Sequence, residues 1–206
     1  MNLRSGAILV LSGPSGAGKS SLISKITDQI GPTYFSISTT TRPMREGEVD
    51  GVHYHFVSIE EFKREIDQEM FLEYAVVHGN YYGTSLSPVK QALKEGKLVI
   101  FDIDVQGHDA VKNRLSDITT SVFITTPTLE ELKHRLHNRS TDSDEVIAGR
   151  IDMAKREVQR ISEYDFLVVN DKLEAAADIL VLIAKAARMK IPTLQINEFV
   201  QSWEAS

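Results

Sequence analysis

Gly13 to Ser20 reads GPSGAGKS, an uninterrupted match to G-x-x-x-x-G-K-[ST]. Glycines at 13, 16 and 18 let the backbone adopt conformations that a side chain would block, so that N–H groups turn inward toward phosphate oxygens. Lys19 supplies a mobile charge for β- and γ-phosphates, and Ser20 a hydroxyl for Mg²⁺. The loop therefore predicts binding of a nucleoside triphosphate through residues 13–21, Gly13, Pro14, Ser15, Gly16, Ala17, Gly18, Lys19, Ser20 and Ser21. It does not say what receives the phosphoryl group. A plain glycine-rich turn is the bland alternative, and the buried strand before and helix after the loop weigh against it. A second chemical stretch is TTTRPMREGE, Thr39 to Glu48, where three hydroxyls run into Arg42 and Arg45. It has no apolar periodicity, so it is not a core element. A third is VIFDIDVQG, which sets Asp102 and Asp104 at the end of an apolar run, on one side of it because strand side chains alternate. Carboxylates there can hold Mg²⁺ through water, orient a second substrate, or merely cap the next helix.

These residues need elements to position them. AILVLS (Ala7 to Ser12), LVIFDID (Leu98 to Asp104), SVFITT and DFLVVN read as strands buried on both faces. Between them lie helical patterns: KSSLISKITDQI, stopped by Gly31 and Pro32; SIEEFKREID, capped by Ser58; SPVKQALKEGK; VQGHDAVKNRL; LEELKHRLHNR, with Leu129, Leu132 and Leu136 on one face; Val146 to Ile161; and Asp171 to Arg188. YFSIS, VHYHFV and MFLEYAVVH read as further strands, GNYYG as a turn, and Ile191 to Ser206 shows no clear pattern. The alternation predicts an α/β fold with a parallel sheet covered by helices on both faces.

Bulk numbers narrow the classes. The 206 residues suit one domain, and a net charge of −6 argues against coating a nucleic-acid polymer. The absence of cysteine excludes disulfides and thiolate metal sites. No stretch approaches the roughly 18 apolar residues of a membrane span, and the short apolar run near the N-terminus is not a signal peptide, so the expectation is a cytoplasmic protein with no membrane partner. The pairs His134 and His137, and His53 and His55, have no third ligand beside them, so no histidine metal site is expected.

Six blocks in register, GPSGAGKSSL, SISTTTRPMREGE, GVHYHFV, FLEYAVVHGNYYGTS, FDIDVQG and VVND, resemble the guanylate kinase family of bacterial type. The resemblance covers most of Leu9 to Asp171. It implies a P-loop NTPase-type sheet with a small GMP-binding lobe and a helical lid, divided as core 1–36, 97–127 and 158–190, lobe 37–96, lid 128–157 and tail 191–206. The implied reaction moves the γ-phosphoryl of ATP to GMP, and by extension dGMP, with Mg²⁺, giving ADP and GDP. Arg42 and Arg45 then grip the GMP phosphate with hydrogen bonds from Tyr54 and Tyr82, and a planar guanidinium suits those oxygens. Glu73 reads the adjacent N1–H and N2–H of guanine, with Ser38 and Thr84 beside it; adenine would leave that carboxylate unpaired. Asp102 and Asp104 join the acceptor side. Arg135, Arg139 and Arg150 are lid arginines over the ATP phosphates and, with Lys19 and Arg42, catalytic; Lys133, Lys155, Arg156 and Arg160 read as ordinary surface charges. Asn170 falls beside the ATP adenine. Two departures stand out. The family pattern T-T-R-x-P-R is here Thr40-Thr41-Arg42-Pro43-Met44-Arg45, with proline one place early, and G-R-G-T is Asn138-Arg139-Ser140-Thr141. Two alternatives stay open: another P-loop small-molecule kinase of adenylate or shikimate type, or a non-catalytic guanylate-kinase-like module that binds phosphopeptides. Oligomeric state is not readable.

Overall fold

The computed structural model describes residues 6–77, 79–138, 144–194 and 196–205. The predicted lid residue Arg139 lies outside them. Strands β1 (Ala7–Ser12), β2 (Thr33–Phe35), β7 (Leu98–Asp102), β8 (Thr119–Thr125) and β9 (Phe166–Val169) form a parallel sheet in the order β2-β7-β1-β8-β9. Central β1 explains its own sequence. Ala7, Leu9 and Leu11 enter one core layer and Ile8 and Val10 the other, so these five positions must be apolar. The first layer is closed by helices α1 (Lys19–Ile26) and α7 (Leu173–Ala187), through Leu22, Ile26, Leu180 and Ala184. The second is closed by α3 (Leu86–Lys94) and α4 (Val105–Leu115), through Val89, Ala92 and Val111. The expected α/β class with helices on both faces is what the chain adopts.

A second sheet, ordered β4-β3-β6-β5, stands beside the first. It consists of β3 (Thr39–Thr40), β4 (His55–Phe56), β5 (Phe71–Val77) and β6 (Asn80–Ser85), with α2 (Ile59–Asp67) packed on it. Ser58 caps α2 by accepting from the Glu61 N–H at 3.1 Å, as its spacing predicts. The buried Phe62 ring of α2 stacks on Phe71 with centroids 4.4 Å apart. Two helices, α5 (Leu129–His137) and α6 (Asp144–Val158), pack through Leu132, Leu136, Ile147 and Ala154.

Four expectations need correction. GNYYG is not a turn: Asn80 to Gly83 belong to β6, because tyrosines favour a pleated surface, and a Cβ on Gly83 would sit 2.9 Å from both the Phe62 and Phe71 rings. DFLVVN holds an edge strand, Phe166–Val169, of which only Val168 is buried while Phe166, Leu167 and Val169 are each more than 40% exposed. A continuous apolar run does not reveal that a neighbour is present on one side only. Leu129 is 38% exposed, off the buried face that Leu132 and Leu136 share. The unpatterned tail forms a further helix, α8 (Ile196–Glu204). No helix among the described residues is long and apolar enough to cross a membrane.

Candidate active site

The loop after β1 is built by backbone. Gly13, Gly16 and Gly18 have φ of +139°, +90° and +88°. A Cβ on Gly13 would lie 1.9 Å from the Ile124 carbonyl oxygen, and one on Gly18 2.3 Å from Asn170 Nδ2, so these two glycines are required by space as well as by φ. Asn170, 3% exposed, donates Nδ2–H to the Ala17 carbonyl at 2.8 Å. The residue expected beside adenine thus ties the loop down with its amide nitrogen. Lys19, at the first turn of α1, donates to its own loop at Gly13 O (2.6 Å) and stands 3.8 Å from Asp102 Oδ1. Ser20 is exposed on the same turn. Arg150 of α6 reaches the loop, its Nη1 3.1 Å from Ser15 Oγ. Arg135 of α5 pairs with Glu131 at 2.7 Å. A cavity of about 370 Å³ is lined by Gly16, Gly18, Ser21, Arg135, Asn170 and Asp171 among others. It brings together five of the residues that sequence reasoning put on the ATP side.

The residues expected on the acceptor side come from distant segments. Ser38, Tyr54, Glu73, Tyr82, Asp102 and Asp104 line one cavity of about 260 Å³, together with Ala75, Ile103 and Gly107. Glu73 is aimed by its strand: the β5–β6 register shifts between Phe71 and Glu73 and sets Glu73 opposite Thr84. The fully buried Thr84 hydroxyl donates to Glu73 Oε1 at 2.7 Å. Burial pushes the Glu73 carboxyl above its ordinary value, the Thr84 bond pulls it down, and the nearby Asp104 charge adds to the rise. Thr84 therefore orients the carboxylate. Asp104 caps α4, accepting from Gln106 N at 3.0 Å and Gly107 N at 2.8 Å, so the bland alternative of helix capping holds for it even though it faces the cavity. Asp102 is not a cap.

Arg42 and Arg45 lie on the loop after β3 and are not among the residues lining this cavity; Arg42 reaches it through Tyr54, and among the described residues no hydrogen bond or ion pair joins Arg45 to the lining. Arg42 donates Nη2–H to Glu48 Oε1 (2.7 Å) and Nη1–H to Pro43 O (2.7 Å), and its guanidinium lies 5.3 Å from the centre of the Tyr54 ring. The backbone carbonyl of position 43, which any residue there would supply, helps fix Arg42. Tyr54 and Tyr82 meet edge to face at 5.9 Å. Arg45 is exposed, and its backbone N–H donates to Glu48 Oε2 at 2.8 Å. The hydroxyls that precede the arginines turn inward: Thr40 donates to Tyr81 O (2.9 Å) and Thr41 accepts from Tyr81 N (3.0 Å). They attach the loop to β6.

Sequence reasoning missed two carboxylates. Glu48 holds both the Arg42 side chain and the Arg45 backbone, and Arg42 keeps its carboxyl below the usual range. The only available signal was an acid three residues after Arg45. Glu157, on α6, is pushed up by burial, pulled down by the Lys19 charge and pushed up again by Asp104. It shares a helix face with Arg150, two turns away. Asp102, likewise raised by burial and lowered by Lys19, lines the cavity of about 260 Å³ and also approaches the loop lysine.

Comparison with known proteins agrees with this geometry. Residues 5–186 match the family model described as guanylate kinase. The chain is 72% identical over 204 residues to the guanylate kinase of Sulfurimonas denitrificans, covering 99% of each chain. It is 50% identical over 197 residues to that of Helicobacter pylori, covering 96% of this chain and 95% of the relative. The crystal structure of guanylate kinase from Anaplasma phagocytophilum superposes with a TM-score of 0.77 at 30% identity, covering 97% of this chain and 95% of that one. With a family match over residues 5–186 and relatives aligned over nearly its whole length, the chain belongs to the guanylate kinase family.

Proposed function

We propose that this protein transfers the γ-phosphoryl group of ATP to GMP, giving ADP and GDP. The observation that carries the reading is that Asp102 lines the cavity holding Glu73 and also lies 3.8 Å from Lys19 of the phosphate loop. One side chain thus joins the wall of that cavity to the lysine of the loop, so the tail of a triphosphate in the loop would meet an acceptor phosphate in the cavity. The alternatives are not favoured. An adenylate- or shikimate-type kinase has no use for a buried carboxylate held by Thr84, and a phosphopeptide module has no use for an intact Lys19 and Ser20.

In this reading the loop backbone, Lys19 and Ser21 receive the ATP phosphates, with Asp171 and Leu173 along the rest of the donor cavity. Arg42, Arg45, Tyr54 and Tyr82 receive the GMP phosphate. Glu73 takes the two guanine N–H donors while the Thr84 hydroxyl donates to its Oε1, and Ser38 completes the edge. The site suits Mg²⁺, because the Ser20 hydroxyl and the Asp102 carboxylate are hard oxygen donors beside the loop. That ion would be held by Ser20 directly and Asp102 through water, and it would neutralise phosphate charge. The acceptor oxygen is already anionic, so no general base is needed. Lys19, Arg135 and Arg150 offset the charge of two approaching phosphates, and transfer depends on positioning in line. Helices α5 and α6 close as a lid over residues 37–96 and exclude water, which otherwise consumes ATP. dGMP is accepted too, no nucleic-acid polymer is a substrate, and the setting is the cytoplasm.

The test is ADP release with ATP, Mg²⁺ and each of GMP, AMP, CMP and UMP. GMP should support turnover at a kcat/KM at least about a hundredfold above AMP, the scale expected when a buried carboxylate loses its donors. Equal use of AMP would overturn the assignment.

A further inference from the structure

Arg160 follows α6 and looks in the sequence like one more surface charge. Its surroundings are otherwise. Nη2 donates to both carboxylate oxygens of Asp109, at 2.6 and 2.8 Å. Nε lies 3.1 and 3.0 Å from the two oxygens of Glu163, Nη2 also pairs with Glu163, and Nη1 reaches the Val105 carbonyl at 3.3 Å. One planar guanidinium thus serves two carboxylates and a carbonyl, a set of bonds that a lysine cannot make.

Two of these partners, Val105 and Asp109, lie on a single face of α4, since they are four residues apart. The same face is tied a third time: Lys112 donates to the Glu163 carbonyl at 2.5 Å. Beneath the network the His108 ring, 1% exposed, stacks on Tyr164 with centroids 4.0 Å apart. The turn that follows the lid helix is therefore fastened to α4 by charge, hydrogen bond and ring contact.

Helix α4 also borders the acceptor cavity. Its cap Asp104 and its Gly107 line that cavity, and the Gly107 Cβ position lies 3.5 Å from Glu73 Oε2. Its far end holds β5 directly, because Arg114 donates Nη1–H to the Leu72 carbonyl at 2.6 Å, one residue from Glu73. A helix gripped by Arg160 on one side and packed against Glu73 on the other transmits any shift of the first to the second.

We propose that Arg160 is a positioning residue for the acceptor: by fastening α4 to the turn after the lid helix, it sets the α4 N-terminus against Glu73. Arg160 touches neither nucleotide. Its loss leaves the carboxylates of Asp109 and Glu163 facing each other without the guanidinium between them, and α4 moves away from the cavity it closes. Misplacement on the ångström scale at a binding wall is costly in rate and affinity. The donor loop is held by other contacts, the Asn170 bond to Ala17 among them, so ATP binding is spared.

The inference rests on GMP being the acceptor. It is tested by steady-state kinetics with GMP varied at saturating ATP, together with calorimetric titration of a non-hydrolysable ATP analogue without GMP. Arg160→Met should raise KM for GMP about tenfold, lower kcat less than about threefold, and leave the analogue's Kd within about twofold. Arg160→Lys should recover part of the loss, and Asp109→Asn, which loosens only the α4 tie, should shift KM for GMP in the same direction by less. If Arg160→Met does not fold, Asp109→Asn alone decides. An unchanged KM for GMP, or a KM and an analogue Kd that rise together, overturns the role of Arg160. A wild-type protein with no GMP-dependent ADP release would instead overturn the acceptor reading itself.

Discussion

In the proposed reading, the donor loop and the acceptor cavity solve the same problem, holding phosphate, with different materials. The loop is contiguous and made of backbone: its geometry comes from three glycines with positive φ, braced from behind by Ile124 O and Asn170. The cavity is made of side chains from β5, β6, the end of β7, the start of α4 and the loops flanking β3. A generic polyanion can be held by N–H groups that every residue possesses. A particular base has to be read by side chains of particular length and charge, and these are collected from wherever the fold brings them together. The loop should therefore break through backbone changes that harm everything, and the cavity through side-chain changes that harm one substrate.

Gly13→Ala is the most severe way to break the contrast. The added Cβ meets a backbone oxygen that cannot rotate away, in a φ that L residues avoid. We expect a loss of about 3 kcal/mol or more, a thermal midpoint lower by roughly 10 °C, and no measurable turnover, read by differential scanning calorimetry and ADP release. A stable, active variant would mean that the loop is not backbone-limited. Lys19→Ala comes next. Turnover should fall about a thousandfold, the scale seen when a preorganised charge on a transferring phosphoryl group is removed, while GMP still titrates normally. Activity close to wild type would take Lys19 out of the donor pocket.

On the acceptor side, Arg42→Met should raise KM for GMP about tenfold and lower kcat as well, because its charge faces the acceptor phosphate in ground and transition states. Glu48→Gln should move in the same direction by less, since it only loosens Arg42. A GMP titration indifferent to both would remove this loop from the clamp. The smallest effect is a pH dependence. Burial raises the Glu73 carboxyl above its ordinary value, so the folded apo protein binds a proton there at a pH where the unfolded chain has released it. Its stability contribution is therefore present below the ordinary glutamate range and is lost as pH rises through the raised value. Affinity runs the other way: GMP needs the ionised carboxylate, so binding should weaken as pH falls through the raised value, earlier than for a solvent-exposed glutamate. A GMP affinity that is flat with pH across that window while wild-type and Glu73→Gln proteins keep the same difference would contradict the role of Glu73 as an ionised acceptor.

The same contrast explains what was legible in the sequence. The strand, loop and helix around Lys19 are local, and hydropathy with glycine spacing gives them directly. The partners Glu73 and Thr84 are eleven residues apart, and nothing local marks either. They become visible only through the register of blocks across a family. The threonines 39 to 41 show a limit of residue chemistry. A run of hydroxyls beside arginines looks like a phosphate site, yet Thr40 and Thr41 spend their hydroxyls on Tyr81. Glu48, Glu157 and Arg160 were illegible because a charged residue on a polar stretch has no sequence signal for its partner. β9 was misjudged for a related reason: periodicity reports how apolar a strand is, and the number of its neighbours is a property of topology.

The central claim is that two independent pockets face each other, one generic to triphosphates and one that recognises guanine through a single buried carboxylate. Paired calorimetric titrations of GMP and of a non-hydrolysable ATP analogue into wild-type and Glu73→Gln proteins test it most directly. The account predicts a GMP Kd weakened at least about tenfold, an analogue Kd within about twofold of wild type, and a thermal midpoint for the ligand-free variant raised by roughly 2 °C, because a desolvated charge has been removed. An unchanged GMP Kd, or equal losses for both ligands, would contradict it.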